Sequence, residues 1–84
     1  MKTVEIYTTQ TCPYCTAAKA LLRDRGVPYT EVDATDPDRR MAMVERANGR
    51  RTVPQIFIGE THVGGYDDMA ALDRHGELDA LLSD

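Results

Sequence analysis

The chain has 84 residues, of which 42% are hydrophobic and 29% charged, and this predicts a single globular domain over residues 1–84 with a modest core. Its net charge of −4 argues against a nucleic-acid-binding protein, because such proteins are usually basic. No segment approaches the roughly 20 apolar residues that a membrane span needs, and the opening MKTVEIY lacks the apolar region of a signal peptide. We therefore expect a soluble, cytoplasmic protein that binds neither nucleic acid nor membrane.

The hydrophobic pattern predicts strands and helices in alternation. TVEIYT alternates like a strand, and YCTAAKALLRDRG predicts a helix that Gly26 ends. VPYTEVD predicts a second strand, and DPDRRMAMVERANG a second helix with Asp36 as N-cap and Pro37 at its first position. PQIFIG and THVG predict a hairpin, DDMAALDRHG a third helix, and ELDALL a last helical turn or two. This order predicts an α/β fold in which a parallel βαβ unit and then a ββα unit form a four-stranded mixed sheet flanked by helices.

The two cysteines of the chain, Cys12 and Cys15, lie in the segment TCPYC. A structural disulfide is disfavoured, because the cytosol keeps thiols reduced and so short a loop gains little stability from closure. A zinc site would need two more ligands, and His62 and His75 lie too far apart for the usual spacing. Two inert, buried cysteines remain an alternative. A Cys-x-x-Cys segment beside a βαβ pattern instead indicates a thioredoxin-like redox motif.

The position of the pair at the start of a helix supports the redox interpretation. With Pro13 at the first helical position, Cys12 becomes the N-cap, where the positive end of the helix dipole favours a thiolate and lowers the thiol pKa. Cys15 follows three residues later, at a Cβ separation of about 5–6 Å, so a small shift would allow a disulfide. We expect Cys15 to point inward and to attack a mixed disulfide formed on Cys12.

Three segments in order resemble the signature segments of the glutaredoxins: TCPYC, then TVP at residues 52–54, then GGYDD at residues 64–68. VEIYTT, AKALL, TVPQIFIG and ALD are also similar to the bacterial dithiol class, so the resemblance covers the whole chain. It implies a thioredoxin-like fold and a glutathione-dependent enzyme that reduces protein disulfides and glutathione mixed disulfides. Cys12 would be the nucleophile and Cys15 the resolving thiol, together forming a redox-active disulfide.

The resemblance also implies the co-reactants. Glutathione would be the co-substrate, with glutathione reductase and NADPH supplying electrons indirectly, so no tightly bound cofactor and no metal are expected. The implied partners are glutathione and disulfide-containing or glutathionylated proteins, with ribonucleotide reductase as a family-level candidate. We expect the chain to act as a monomer.

Two of the resembling segments suit the γ-glutamyl end of glutathione. Gly64 and Gly65 let a ligand approach the backbone, and the helix that starts near Asp67 offers free N–H donors to a carboxylate. Asp67 or Asp68 would hold the ammonium group, although ordinary helix capping is the plainer role for these acids.

The TVP segment suits the cysteinyl part of the ligand. X–Pro bonds are usually trans, but the resemblance implies a cis bond before Pro54 in the loop that starts at Thr52. Val53 would then turn its N–H and C=O toward glutathione and pair with it like a strand. Tyr14, on the exposed turn between the cysteines, would flank the ligand.

The glycyl carboxylate of glutathione needs a cation, and five of the ten basic residues are arginines within residues 39–51. Arginine fits a carboxylate because its guanidinium is a planar fork. Arg40 and Arg51 are the candidates, with Arg39 and Arg50 as substitutes. A solvated charged face is the alternative interpretation of this run.

One position departs from the family pattern. Glutaredoxins often carry a lysine three residues before the first cysteine, and this chain has Thr9 there. We therefore predict a Cys12 that is somewhat less acidic than in relatives with the lysine.

Two other functions are alternatives. A thioredoxin-type enzyme, reduced by a flavin-dependent reductase, is disfavoured by CPYC and GGYDD. An iron–sulfur carrier would bridge a cluster between two chains through Cys12 and glutathione; Pro13 should stiffen that turn, and Cys15 competes for Cys12. A visible absorption band after anaerobic purification would favour the carrier.

Overall fold

The computed structural model describes residues 1–84 and confirms the predicted order of elements. The strands are β1 (Val4–Thr8), β2 (Thr30–Asp33), β3 (Gln55–Ile58) and β4 (Thr61–Gly64). The helices are α1 (Pro13–Asp24), α2 (Pro37–Arg46), α3 (Tyr66–Arg74) and α4 (Leu78–Leu82). None of these helices combines the length and the apolar composition that crossing a bilayer requires.

The four strands form one mixed sheet in the order β2-β1-β3-β4. β1 pairs parallel with β2 and antiparallel with β3, and β3 pairs antiparallel with β4. This confirms the predicted four-stranded sheet of the thioredoxin-like fold. β3 lies inside the sheet with helices on both faces, which explains why all four of its residues are buried.

Two apolar clusters cover opposite faces of the sheet, because consecutive strand residues point to opposite sides. Ile6 of β1 packs in the larger cluster with Leu22 of α1 and Met69 of α3. Its neighbour Tyr7 packs in the smaller cluster with Met43 of α2. Helices α1, α3 and α4 therefore cover one face, and α2 covers the other.

Local chemistry fixes where the helices begin and end. Asp36 caps α2 as predicted, since its carboxylate accepts a hydrogen bond from the Arg39 amide at 3.0 Å. The predicted start of β2 at Val27 was wrong, and the strand begins at Thr30. The amide of Val27 donates a hydrogen bond to the carbonyl oxygen of Leu22 at 2.9 Å, so this residue caps the C-terminus of α1 instead of starting the strand.

The strand register brings three sequence motifs to one edge of the sheet. Tyr7, near the end of β1, pairs with Gln55 at the start of β3. Ile56 pairs with Gly64 at the end of β4. The loop that follows β1, the loop that precedes β3 and the start of α3 therefore lie side by side.

Candidate active site

The cysteine pair lies at the first turn of α1. Cys12 is the N-cap, and its sulfur accepts a hydrogen bond from the backbone N–H of Cys15 at 3.1 Å. The two cysteines form a disulfide, with their Cα atoms 5.1 Å apart. Cys15 is only 1% exposed, as predicted, whereas Cys12 is partly exposed. Cys12 is therefore the more accessible sulfur of the pair.

The loop before β3 passes directly beside Cys12. The carbonyl oxygen of Val53 lies 3.7 Å from the Cys12 sulfur, and the Val53–Pro54 peptide bond is cis, as the resemblance implied. Neither Thr52 nor Val53 takes part in a backbone–backbone hydrogen bond. The Val53 amide is thus available to a ligand that lies along the loop as an extended strand would.

The start of α3 closes the other side of the site. The Gly65 amide donates a hydrogen bond to Asp68 Oδ2 at 2.9 Å, and Arg50 contacts the same oxygen at 3.1 Å. The hydrogen bond from Gly65, followed by that from Arg50, lowers the pKa of Asp68. A side chain at Gly64, where φ is +114°, would collide with both partners of this ion pair. Asp67 is exposed and forms no side-chain hydrogen bond, so it is the carboxylate available to a ligand's ammonium group.

A cavity of about 290 Å³ joins these segments. Its lining residues are Tyr14, Arg50, Thr52, Val53, Pro54, Gly65, Tyr66, Asp67 and Asp68. Seven of them are site residues that the sequence predicted. The prediction missed Tyr66, whose ring lies 6.3 Å from that of Tyr14 across the cavity; its position inside GGYDD was the available signal. The cavity therefore has aromatic walls, a free backbone segment and a helix N-terminus.

The candidate arginines do not all reach this cavity. Arg50, named as a substitute, lines it, whereas Arg40 and Arg51 line a neighbouring cleft of about 590 Å³ beside the exposed Met41. Arg40 donates a hydrogen bond to the carbonyl oxygen of Arg51 at 2.7 Å and so braces the chain just before Thr52. Their predicted contact with a glycyl carboxylate stays a prediction.

A third, wholly polar cleft surrounds Thr9, the position at which the family often has lysine. It is also lined by Lys19, Glu31 and Arg39. Lys19 lies 2.9 Å from Glu31, whose pKa is lowered first by the Thr8 hydroxyl and then by Lys19. Arg39 forms no ion pair, so it is the unpaired cation among the residues that line this cleft.

Comparison with known proteins identifies the family. Residues 4–63 match the family model of the glutaredoxins. The glutaredoxin of Pseudomonas aeruginosa is 54% identical over 83 residues, which cover 99% of each chain.

This chain belongs to the glutaredoxin family.

Glutaredoxin 3 of Escherichia coli K12 is 53% identical over 83 residues, covering 98% of this chain and 99% of that relative. This glutaredoxin is therefore a thiol–disulfide oxidoreductase, and Cys12 and Cys15 are its redox-active pair.

Solved structures agree with the assigned fold. The solution structure of the glutaredoxin from Brucella melitensis has a TM-score of 0.85 and 54% identity, and the match covers 98% of this glutaredoxin and 89% of that chain. A crystal structure of a buckwheat glutaredoxin–glutathione complex also has a TM-score of 0.85, at 28% identity over 96% of this chain and 76% of that one.

Proposed function

We propose that this glutaredoxin uses glutathione to reduce protein disulfides and glutathione mixed disulfides. The observation that carries the proposal is the single cavity that joins the Val53 backbone, next to the Cys12 sulfur, to the start of α3. A tripeptide with a thiol in its middle residue and charged groups at its ends fits that order of binding groups. The buckwheat relative, solved with glutathione, shares the same backbone arrangement.

The binding roles follow from the position of each group. The Val53 N–H and C=O, turned by the cis Pro54 bond, pair with the cysteinyl residue of glutathione. The amides at the start of α3, after Gly65, receive the γ-glutamyl carboxylate. Asp67 holds the ammonium group, since Asp68 is already engaged by Gly65 and Arg50.

The other end of glutathione carries the glycyl carboxylate. Arg40 and Arg51, in the neighbouring cleft, are proposed to bind it. Tyr14 and Thr52 flank the ligand between its two ends.

The chemistry needs only the two sulfur atoms and glutathione. On a glutathionylated protein, the Cys12 thiolate attacks the glutathione sulfur and releases the protein thiol; a second glutathione then displaces Cys12 and leaves as glutathione disulfide. On a protein disulfide, Cys12 forms a mixed disulfide that Cys15 resolves, which releases both protein thiols and yields the Cys12–Cys15 disulfide. Two glutathione molecules reduce that disulfide again.

Serine variants of the two cysteines test this scheme. We expect Cys12→Ser to abolish turnover in an assay that couples glutathione, glutathione reductase and NADPH to either kind of substrate. Cys15→Ser should retain the reduction of a glutathionylated peptide and lose most reduction of a protein disulfide, because only the second reaction needs a resolving thiol. Equal damage by both variants toward the glutathionylated peptide would contradict the assigned roles.

Partners and location remain proposals at the family level. The proposed clients are glutathionylated and disulfide-containing proteins, with ribonucleotide reductase among them, and the chain is proposed to act as a monomer in the cytoplasm.

A further inference from the structure

A buried polar side chain lies directly behind the ligand-facing loop. Gln55, the residue that follows Pro54, is 0% exposed. Its amide nitrogen donates to the carbonyl oxygen of Thr52 at 3.0 Å and to the Thr52 hydroxyl at 3.3 Å. Its amide oxygen lies 2.7 Å from Nε2 of His62 on β4. Thr52 and His62 thus supply hydrogen-bond partners for both polar atoms of this buried side chain.

The direction of these hydrogen bonds is fixed. A carbonyl oxygen can only accept, so the Gln55 nitrogen must face Thr52 and its oxygen must face His62. Nε2 of His62 therefore carries a proton, and both the neutral ring with that proton and the imidazolium satisfy the arrangement. Burial, followed by the charge of Arg50, lowers the pKa of His62 and so favours the neutral ring. The ring stacks on Phe57 at a centroid distance of 5.0 Å, which holds the donor in place.

The loop depends on these bonds because it has few others. Thr52 and Val53 form no backbone–backbone hydrogen bond, and the carbonyl oxygen of Arg51 is held only by the side chain of Arg40. Between Arg51 and Pro54, the backbone is held by the hydrogen bond from the Gln55 amide to the carbonyl oxygen of Thr52. The next residue after Thr52 is Val53, whose carbonyl oxygen is 3.7 Å from the Cys12 sulfur.

We propose that Gln55, oriented by His62, is a positioning residue that holds the Thr52–Val53 backbone in the geometry in which it pairs with substrate. This inference rests on the proposed function, since it assigns to the Val53 backbone the binding of glutathione. Gln55 touches no reacting atom. Its loss should weaken the binding of substrate and of the transition state equally, which raises KM and leaves kcat unchanged.

The test replaces Gln55 with methionine, which keeps the side-chain length and removes the amide. We expect KM for a glutathionylated peptide to rise about five- to tenfold in Gln55→Met, with kcat within about twofold of wild type. His62→Phe, at a partly exposed position, keeps the stack on Phe57 but frees the Gln55 oxygen, and should raise KM about two- to threefold. If Gln55→Met does not fold, His62→Phe carries the test.

The matched control is Ile56→Val, a truncation of the next residue on β3, which faces the other side of the sheet. It should lower Tm and leave KM unchanged, so it separates lost stability from lost positioning. Equal KM values for Gln55→Met, His62→Phe and Ile56→Val would overturn the proposal and leave Gln55 a purely structural residue.

A second measurement needs no glutathione. The backbone order parameter of the Val53 amide, from NMR relaxation of the free protein, should fall in Gln55→Met and in His62→Phe but not in Ile56→Val. If wild type shows no glutathione-dependent turnover, the proposed function fails, and this measurement still decides the inference. An unchanged Val53 order parameter in both Gln55→Met and His62→Phe would overturn the inference.

Discussion

At the residue scale, the reactivity of the enzyme depends on ionisation of the Cys12 thiol. The structure places this sulfur at the N-cap of α1, where the backbone N–H of Cys15 points at it and the helix dipole favours negative charge. Iodoacetamide should therefore label reduced Cys12 near neutral pH faster than it labels free cysteine. Reactivity that appears only in strongly alkaline buffer would rule out this account.

Thr9 offers a way to tune the same thiol. Thr9→Lys places a cation three residues before Cys12, where the family resemblance implies one, and it should shift the pH profile of Cys12 alkylation to lower pH. Thr61→Lys is the matched control. It adds the same charge, but Thr61 pairs with Ile58 at the far end of the sheet. An equal shift in both variants would show that net charge, and not the position of the lysine, sets the profile.

Asp68 gives a pH dependence to stability. Its folded pKa lies below the unfolded value, so its contribution is complete above about pH 4 and is lost as pH falls through the folded pKa. Asp68→Asn keeps an oxygen for the Gly65 amide and removes the titration. Urea unfolding at a series of acidic pH values should therefore show a shallower loss of stability in the variant, and an identical slope would contradict the assignment.

The family resemblance implied most residues around the cavity, because they lie within the three glutaredoxin-like segments TCPYC, TVP and GGYDD. It could not predict which arginine joins them. Arg50 turns to Asp68, which is 18 residues away, and Arg40 turns to the carbonyl oxygen of Arg51. The direction of a long side chain depends on partners that the fold brings together, and no local pattern encodes it.

At the element scale, caps decide where helices begin. Asp36→Ala removes the acceptor for the Arg39 amide and should lower the free energy of unfolding by about 0.5–2 kcal/mol. Asp36→Asn, which is about as good a cap, should lower the free energy of unfolding by at most a few tenths of a kcal/mol. Thermal unfolding can measure both, since about 1 kcal/mol corresponds to roughly 4–8 °C in a domain of this size. Equal Tm values for the two variants would contradict the capping role.

The same reasoning explains which element boundaries could be predicted. Proline at the first position and aspartate at the N-cap mark α2 in the sequence itself. The start of β2 carries no such mark: Val27 looks like a strand residue, but its amide closes the end of α1 and its side chain enters the larger cluster. Tertiary packing overrides local propensity at that junction.

At the scale of the whole molecule, one sheet separates two unequal halves. The alternation of strands and helices predicted the sheet, but not which helix covers which face. That choice depends on the pairing register, which sends Ile6 toward α1 and Tyr7 toward α2. The Gln55–His62 contact is equally invisible in the sequence, because it joins two strands through side chains on the α2 face.

A domain of 84 residues has a small core, so a defect in the larger apolar cluster should remove a large share of its stability. Leu22 is fully buried in the ten-residue cluster. Leu22→Ala should therefore lower the free energy of unfolding by about 2–5 kcal/mol, out of the 5–15 kcal/mol typical of a domain. Leu21→Ala, at the neighbouring and partly exposed position, is the matched control and should cost less. Because α1 carries Cys12 at one end and Leu22 near the other, urea unfolding and the rate of Cys12 alkylation should be followed together. A loss below 1 kcal/mol in Leu22→Ala would contradict the view that this cluster holds α1 in place.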